Sequence, residues 1–201
     1  GDLDNGGELI TLKSGVDVVQ EFDYNDSWYT ITDGSGFSLT IRDAASTDLD
    51  DWDDDGGWRS SEPYNGTPGA GDSYQPTIII NEIMAHTDTQ TGDWVEFYNT
   101  TAQAKNIGGW YLSDNGKKLT KYKIADDTFI PAHGYLVLNQ DQHFDSGPDG
   151  FGLSENGEEV YLVEAAGGVI ANYVDYQSFR ASELETSFGT YVKSTGGDDF
   201  V

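Results

Sequence analysis

Asp51-Trp52-Asp53-Asp54-Asp55-Gly56, followed by Glu62, satisfies the pattern D-x-D-x-D-G-x5-E in full. Carboxylates stand at loop positions 1, 3 and 5, a glycine at 6 makes the sharp turn, and a glutamate at 12 can chelate through both oxygens. Calcium takes about six to eight hard oxygen ligands. Asp51, Asp53, Asp55 and Glu62 are therefore the candidate metal ligands, and calcium the candidate cofactor. The flanks do not fit an EF-hand, because Pro63 follows the glutamate directly and the stretch to Gly71 cannot form the second helix. A solvated acidic loop is the competing reading. If the ion binds, neutralising the clustered carboxylates stabilises the loop and stiffens the joint behind it.

Other reactive residue types are more scattered. Glu82 and Glu96 fall on neighbouring expected strands, where two carboxylates can act as acid and base in glycoside hydrolysis. Apolar neighbours favour the alternative, that both line the solvent face or bond backbone at a strand end. His86, His133 and His143 are separated by long, irregular spacings, with no HExxH and no third ligand, which argues against a catalytic zinc site. G-x-S-x-G, P-loop and Rossmann glycine patterns are absent, and no nucleophile stands with a base, so the chain reads as no enzyme. The 5 Trp and 12 Tyr are more than a small core hides. Trp28, Tyr29, Trp52 and Tyr64 fall in expected loops and suit a sugar platform, which makes a carbohydrate-binding module appended to a secreted hydrolase the rival function. Asn25-Asp26-Ser27, Asn65-Gly66-Thr67 and Asn99-Thr100-Thr101 fit the glycosylation sequon, as chance alone provides in a chain rich in Asn, Ser and Thr.

The elements that must position these residues are strands. Apolar and polar residues alternate through Val95 and Phe97 and again through Trp110 and Leu112, while Ile80 and Ile83 flank Asn81-Glu82. Alternation predicts strands near 8–13, 16–24, 37–42, 77–84, 93–99, 107–113, 119–124, 134–139, 158–164, 168–176 and 187–193. Turns fall at Ser14-Gly15, Asp33-Gly34, Asn115-Gly116, Asn156-Gly157 and Gly167-Gly168, with Asn115-Gly116 the clearest hairpin signal. Helical periodicity is missing. Strands that bury one face each need two layers, so the fold class is all-β. A joint is expected at 62–77, where Pro63, Gly66, Pro68, Gly69, Gly71 and Pro76 keep regular structure out.

INEI at 80–83, DWVEFYN at 93–99, GGWYLSD at 108–114, IPAHGYLVL at 130–138 and FGLSENGEEVYLV at 151–163 are the motifs of one family. In this order they resemble the lamin tail domain in its bacterial and archaeal secreted form, over most of residues 77–192. The resemblance implies an immunoglobulin-like antiparallel β-sandwich. It implies a non-catalytic appendage or interaction module, in a family whose members are found fused to secreted hydrolases. It also implies that Trp58 packs on the sandwich and that the Asp-rich loop overlaps a closing element ending in GTPGA at 66–70.

A repeat overlies this pattern. Asn5-Gly6 matches Asn156-Gly157, Leu9 matches Val160, Val18-Val19 matches Val169-Ile170, Phe22 matches Tyr173 and Phe37 matches Phe188, all at a spacing of 151. So long a period indicates a tandem repeat of whole domains. Residues 1–75 then form the rear half of an upstream copy plus an Asp/Gly/Pro-rich joint, and 76–201 a lamin-tail-like β-sandwich. Leu9, Leu12, Val18, Phe22, Phe37, Leu39 and Ile41 of the rear half need a covering layer. That layer is expected from the second copy, from a neighbouring molecule, or from a longer chain of which this is a piece; the third is favoured, combined with intermolecular pairing.

Charge sets outer limits. The chain has 201 residues, 36 acidic against 10 basic, and a formal net charge of −26. Nucleic acid and anionic membrane are repelled by such a surface. Cation binding, solubility and a saline or calcium-rich exterior are favoured. Residues 1–75 carry a net −14 and 76–201 a net −12, so the shorter part is the more densely charged. Cysteine is absent, which excludes disulfides and thiolate metal sites. No apolar run of about 18 residues and no basic-then-apolar start is present, so neither membrane insertion nor a signal peptide is expected. The resulting expectation is an acidic structural protein of the extracellular space or cell surface, acting through protein–protein contacts with a partner or with further copies of itself.

Overall fold

A computed structural model describes residues 3–4, 6–46, 48–72, 74–88, 92–194 and 198–201. Asn5 of the repeat lies outside the described residues. The chain divides into two compact units, Gly1–Tyr74 and Gln75–Val201.

The second unit is an immunoglobulin-like β-sandwich. Its strands are β5 (Ile78–Met84), β6 (Trp94–Asn99), β7 (Lys105–Asn106), β8 (Tyr111–Ser113), β9 (Tyr122–Lys123), β10 (Phe129–Ile130), β11 (Tyr135–Asn139), β12 (Gly157–Ala166), β13 (Val169–Arg180), β14 (Phe188–Val192) and β15 (Asp198–Phe200). One sheet runs β11-β6-β5-β14-β15 and the other β13-β12-β8-β9, with β7 and β10 as a separate pair. Ile78, Ile80, Ile83, Val95 and Phe97 from the first sheet meet Leu112, Val160, Leu162 and Val174 from the second in one core. Strand alternation does this in β6, where Val95, Phe97 and Asn99 are buried and Trp94, Glu96 and Tyr98 are not.

Strict alternation would have placed Glu82 in that core. Instead the ladder to β6 shifts between Ile80, opposite Phe97, and Glu82, opposite Glu96. Asn81 is the surplus residue of a β-bulge. The bulge lets Ile80 and Ile83, three positions apart, both be fully buried and turns Glu82 outward. The turn at Asn115-Gly116 also departs from expectation. Its flanking strands do pair, Leu112 opposite Tyr122, but across a long loop rather than a two-residue turn. Ser113 Oγ donates to the Lys118 carbonyl at 2.8 Å and accepts from the Asn115 amide at 3.0 Å, which satisfies the backbone that a tight hairpin would have paired.

The first unit holds two hairpin-like pairs: β1 (Leu9–Ser14) with β2 (Asp17–Asp23), and β3 (Leu39–Ile41) with β4 (Trp58–Ser60). Its interior is aromatic. Trp58, 6% exposed, packs at ring-centroid distances of 5.2 Å from Phe22, 5.5 Å from Trp52 and 6.3 Å from Trp28. Behind β4, Arg59 and Asp72 form a buried ion pair at 3.1 Å, and Arg59 also donates to the Asp72 carbonyl at 2.7 Å. This clamp ties the first part of the Pro/Gly-rich joint back to β4. The β1–β2 and β12–β13 hairpins turn at Gly15-Val16 and Gly167-Gly168, which are 152 positions apart, one more than the spacing read from the sequence. Phe37 and Phe188 keep the spacing of 151, just before β3 and at the start of β14.

Candidate functional site

Among the described residues, no three His, Asp or Glu side chains are gathered as a metal ion would require. Two of the four carboxylates expected to hold calcium, those of Asp51 and Asp53, accept hydrogen bonds from the protein, while Asp55 and Glu62 are bonded through their backbone. Asp51 Oδ2 accepts from Ser46 Oγ at 2.5 Å, and Asp53 Oδ1 accepts from the Asp23 amide at 2.8 Å. Asp55 offers its carbonyl to the Tyr29 hydroxyl at 3.1 Å, and the Glu62 amide donates to Asp72 Oδ2 at 2.9 Å. The loop itself is built of two short 3-10 turns, Leu49–Trp52 and Asp55–Gly57, with Asp54 Oδ1 accepting the Gly56 amide at the start of the second. Asp48 and Asp54 thus serve as turn caps, which is the local structure that Asp and Gly in sequence favour.

Three of the four expected platform aromatics contact Trp58, and the fourth contacts Phe37. Trp28 and Trp52 pack on Trp58, while Tyr64 stands edge-on to Phe37 at 5.6 Å. Tyr29 donates to the Trp58 carbonyl at 3.0 Å.

In the sandwich, an open concavity of about 510 Å³ is lined by His86, Asp88, Asp93, Gln140 and Glu155. His86 Nδ1 lies 3.1 Å from the Ser182 carbonyl, and Nε2 lies 3.3 Å from Glu155. Both ring nitrogens therefore face acceptors, and Ser182 Oγ is buried with no hydrogen-bond partner among the described residues, so His86 does not address that hydroxyl. Burial pushes the Asp93 carboxyl above its ordinary range, against hydrogen bonds from the Leu153 and Thr87 backbone. His133 and His143 stand elsewhere, beside Tyr98 and Asn139.

Glu82 and Glu96 are brought directly opposite each other on the outward side of β5 and β6. Neutral donors hold them: Ser187 Oγ on Glu82 at 2.5 Å and Asn81 Nδ2 on Glu96 at 2.8 Å. The same face carries Tyr98 against Tyr135 at 4.8 Å, and Tyr135 and Val137 are exposed on β11. In the first unit, Leu9, Leu12, Val16, Val18 and Val19 of the β1–β2 hairpin are between 54% and 93% exposed, whereas Phe37 is buried.

Two residues escaped the sequence reading. Asp175 on β13 is buried and accepts the Ile80 amide of the opposite sheet at 2.6 Å, and burial pushes its carboxyl up to about 7. Nothing in the alternation of β13 singles it out. Asn99, fully buried, donates its side-chain amide to the carbonyls of Gln103, Ile130 and Pro131 at 2.7, 3.1 and 3.0 Å. That bonding gives the side-chain nitrogen of the Asn99-Thr100-Thr101 sequon a structural role.

The family model described as Lamin Tail Domain matches residues 72–177. Comparisons with curated proteins and with solved structures gave no match. The motif order, the two-sheet topology and the match over more than half of the chain agree, and the chain belongs to the lamin tail domain family.

Proposed function

We propose that this chain is a non-catalytic module of the extracellular space or cell surface that works by protein–protein contact, with a partner protein or with further copies of itself in a tandem array. One observation carries the reading: the β1–β2 hairpin presents Leu9, Leu12, Val16, Val18 and Val19 to solvent. Exposed aliphatic side chains on both faces of one small hairpin mark surfaces that another chain covers. The net charge of −26 opposes contact between copies at low ionic strength, so screening by salt is part of the proposal. Immunoglobulin-like domains of this family are non-enzymatic, and among the described residues the ring nitrogens of His86 face the Ser182 carbonyl and Glu155 rather than a hydroxyl. Sugar binding by Trp28, Tyr29, Trp52 and Tyr64 has less support, because two of those rings already pack on Trp58.

Calcium as a stabiliser is part of the proposal. Binding would take Asp51 from Ser46 and Asp53 from the Asp23 amide, a local rearrangement of the two 3-10 turns.

Sedimentation velocity from about 1 to 100 μM in 0.15 M and 0.5 M NaCl tests the contact reading. Concentration-dependent association, stronger at the higher salt and abolished by Leu12→Ser with Val19→Ser, is the expected result for contact between copies. A chain that stays monomeric and captures no protein from its own source through the intact hairpin would overturn the hairpin as a contact surface.

A further inference from the structure

Three cross-strand rows cover the outer side of β11, β6 and β5. The ladders set Tyr135 beside Tyr98 beside Ile79, then Val137 beside Glu96 beside Glu82, then Asn139 beside Trp94 beside Met84. The middle row costs energy in the free protein, since like charges directly opposite on an antiparallel pair destabilise it. Among the described residues, the donors on these two carboxylates are the neutral Ser187 Oγ and Asn81 Nδ2. Beyond Glu82 the row continues to Gly189 on β14, which adds no side chain. At the other end β11 is the edge of its sheet, with Tyr135 56% and Val137 43% exposed. An edge strand offers backbone for one more strand to pair with.

Resting on the reading of this chain as a contact module, we propose that the β11 edge takes an extended, basic segment of a partner protein as an added strand. Its lysine or arginine lies across Val137 to meet Glu96, while Glu82, one strand further on, adds to the attracting negative charge. The geometry suits long cationic side chains. Strands in a sheet are about 4.8 Å apart, so a residue on the added strand starts about two spacings from β6. The methylene stem of a lysine covers the Val137 row and its ammonium meets Glu96 part-way. An adjacent apolar or aromatic residue, two positions along, lies over the Tyr135–Tyr98 pair. A second copy is disfavoured at this edge because each chain carries a net charge of −26, whereas a basic strand gains from that field.

Fluorescence anisotropy with a labelled octapeptide that carries lysine and valine in turn on one strand face and threonine on the other, titrated with the whole chain at 50 and 300 mM NaCl, tests this. Binding is expected to weaken at least tenfold between the two salts, to fall several-fold in Glu96→Gln and Glu82→Gln, and to vanish for a peptide N-methylated at alternate residues. Circular dichroism of the variants confirms that they fold, and amide shifts in an NMR titration report whether Tyr135–Asn139 is the strand that moves. Equal binding of a glutamate–valine peptide, no loss in the glutamine variants, or full binding of the N-methylated peptide would each overturn the proposal. So would binding of a glycan that is lost in Tyr135→Ala, which would make this a sugar face. The variants Leu12→Ser and Val19→Ser leave this edge untouched. Failure here with hairpin-dependent association intact therefore removes only the β11 inference.

Discussion

Asp175 shows what a single residue can hold together. Where β14 pairs with β5, Phe188 stands opposite Ile83 and Gly189 opposite Glu82, and the ladder does not extend to Ile80. The Ile80 amide would be left unpaired in the core, and Asp175 accepts it from β13 across the sandwich, while Thr190 Oγ1 donates to the Ile80 carbonyl at 3.4 Å. Burial is the main reason this carboxyl rises to about 7, with hydrogen bonds from Ile80, Tyr176 and Gln177 acting the other way. Since the folded value lies above the unfolded one, the contribution to stability is full below about pH 4 and declines as pH rises towards 7. Above pH 7 the folded chain carries a buried anion. Asp175→Asn keeps an oxygen for the Ile80 amide and removes the titration. Urea unfolding at pH 4, 5.5, 7 and 8 should show wild type losing stability relative to this variant over that window, by on the order of 4 kcal/mol in total. Parallel pH profiles would mean that Asp175 does not titrate in that range. A buried acid in a strand that also carries Asn172, Gln177 and Ser178 has no signature in sequence, because its justification is an amide 95 positions away.

At the scale of elements, most strands were legible and their irregularities were not. β6, β11 and β12 lie within a residue or two of their expected bounds because each combines alternation with glycine, asparagine or proline punctuation. Short strands such as β4, β7, β10 and β15, two or three residues long, are below the length at which alternation carries information. The Asp-rich loop is the instructive case. Its spacing matches a calcium loop residue for residue, yet the same Asp and Gly residues also build capped 3-10 turns, and sequence cannot choose between them. Scanning calorimetry with 2 mM CaCl₂ or with EDTA, at ionic strength matched with NaCl, separates the two. A proposed calcium site predicts a rise of several degrees in melting temperature that Asp51→Asn with Asp53→Asn removes. If the melting curve follows ionic strength alone, Asp51 and Asp53 serve only their hydrogen bonds to Ser46 and the Asp23 amide.

Across the whole molecule, charge outweighs any single contact. With 36 acidic and 10 basic residues, folding gathers like charges, and their mutual repulsion is screened over about 30 Å at 0.01 M salt but about 3 Å at 1 M. The melting temperature should therefore climb by several degrees between 10 mM and 0.5 M NaCl and then level off, as differential scanning fluorimetry can follow; a flat profile would show that the surplus carboxylates are spaced too widely to repel one another measurably. Composition announced this property, and motif order announced the family, because both survive without knowledge of contacts. The bulge in β5 was invisible for the opposite reason, as it exists only relative to the facing strand. It has a consequence for inheritance. Loss of the codon for either Asn81 or Glu82 would leave a strand whose remaining residues still alternate correctly, whereas loss of any other interior residue of β5 would turn one end of it inside out. Length variation in this strand should be tolerated at those two positions alone.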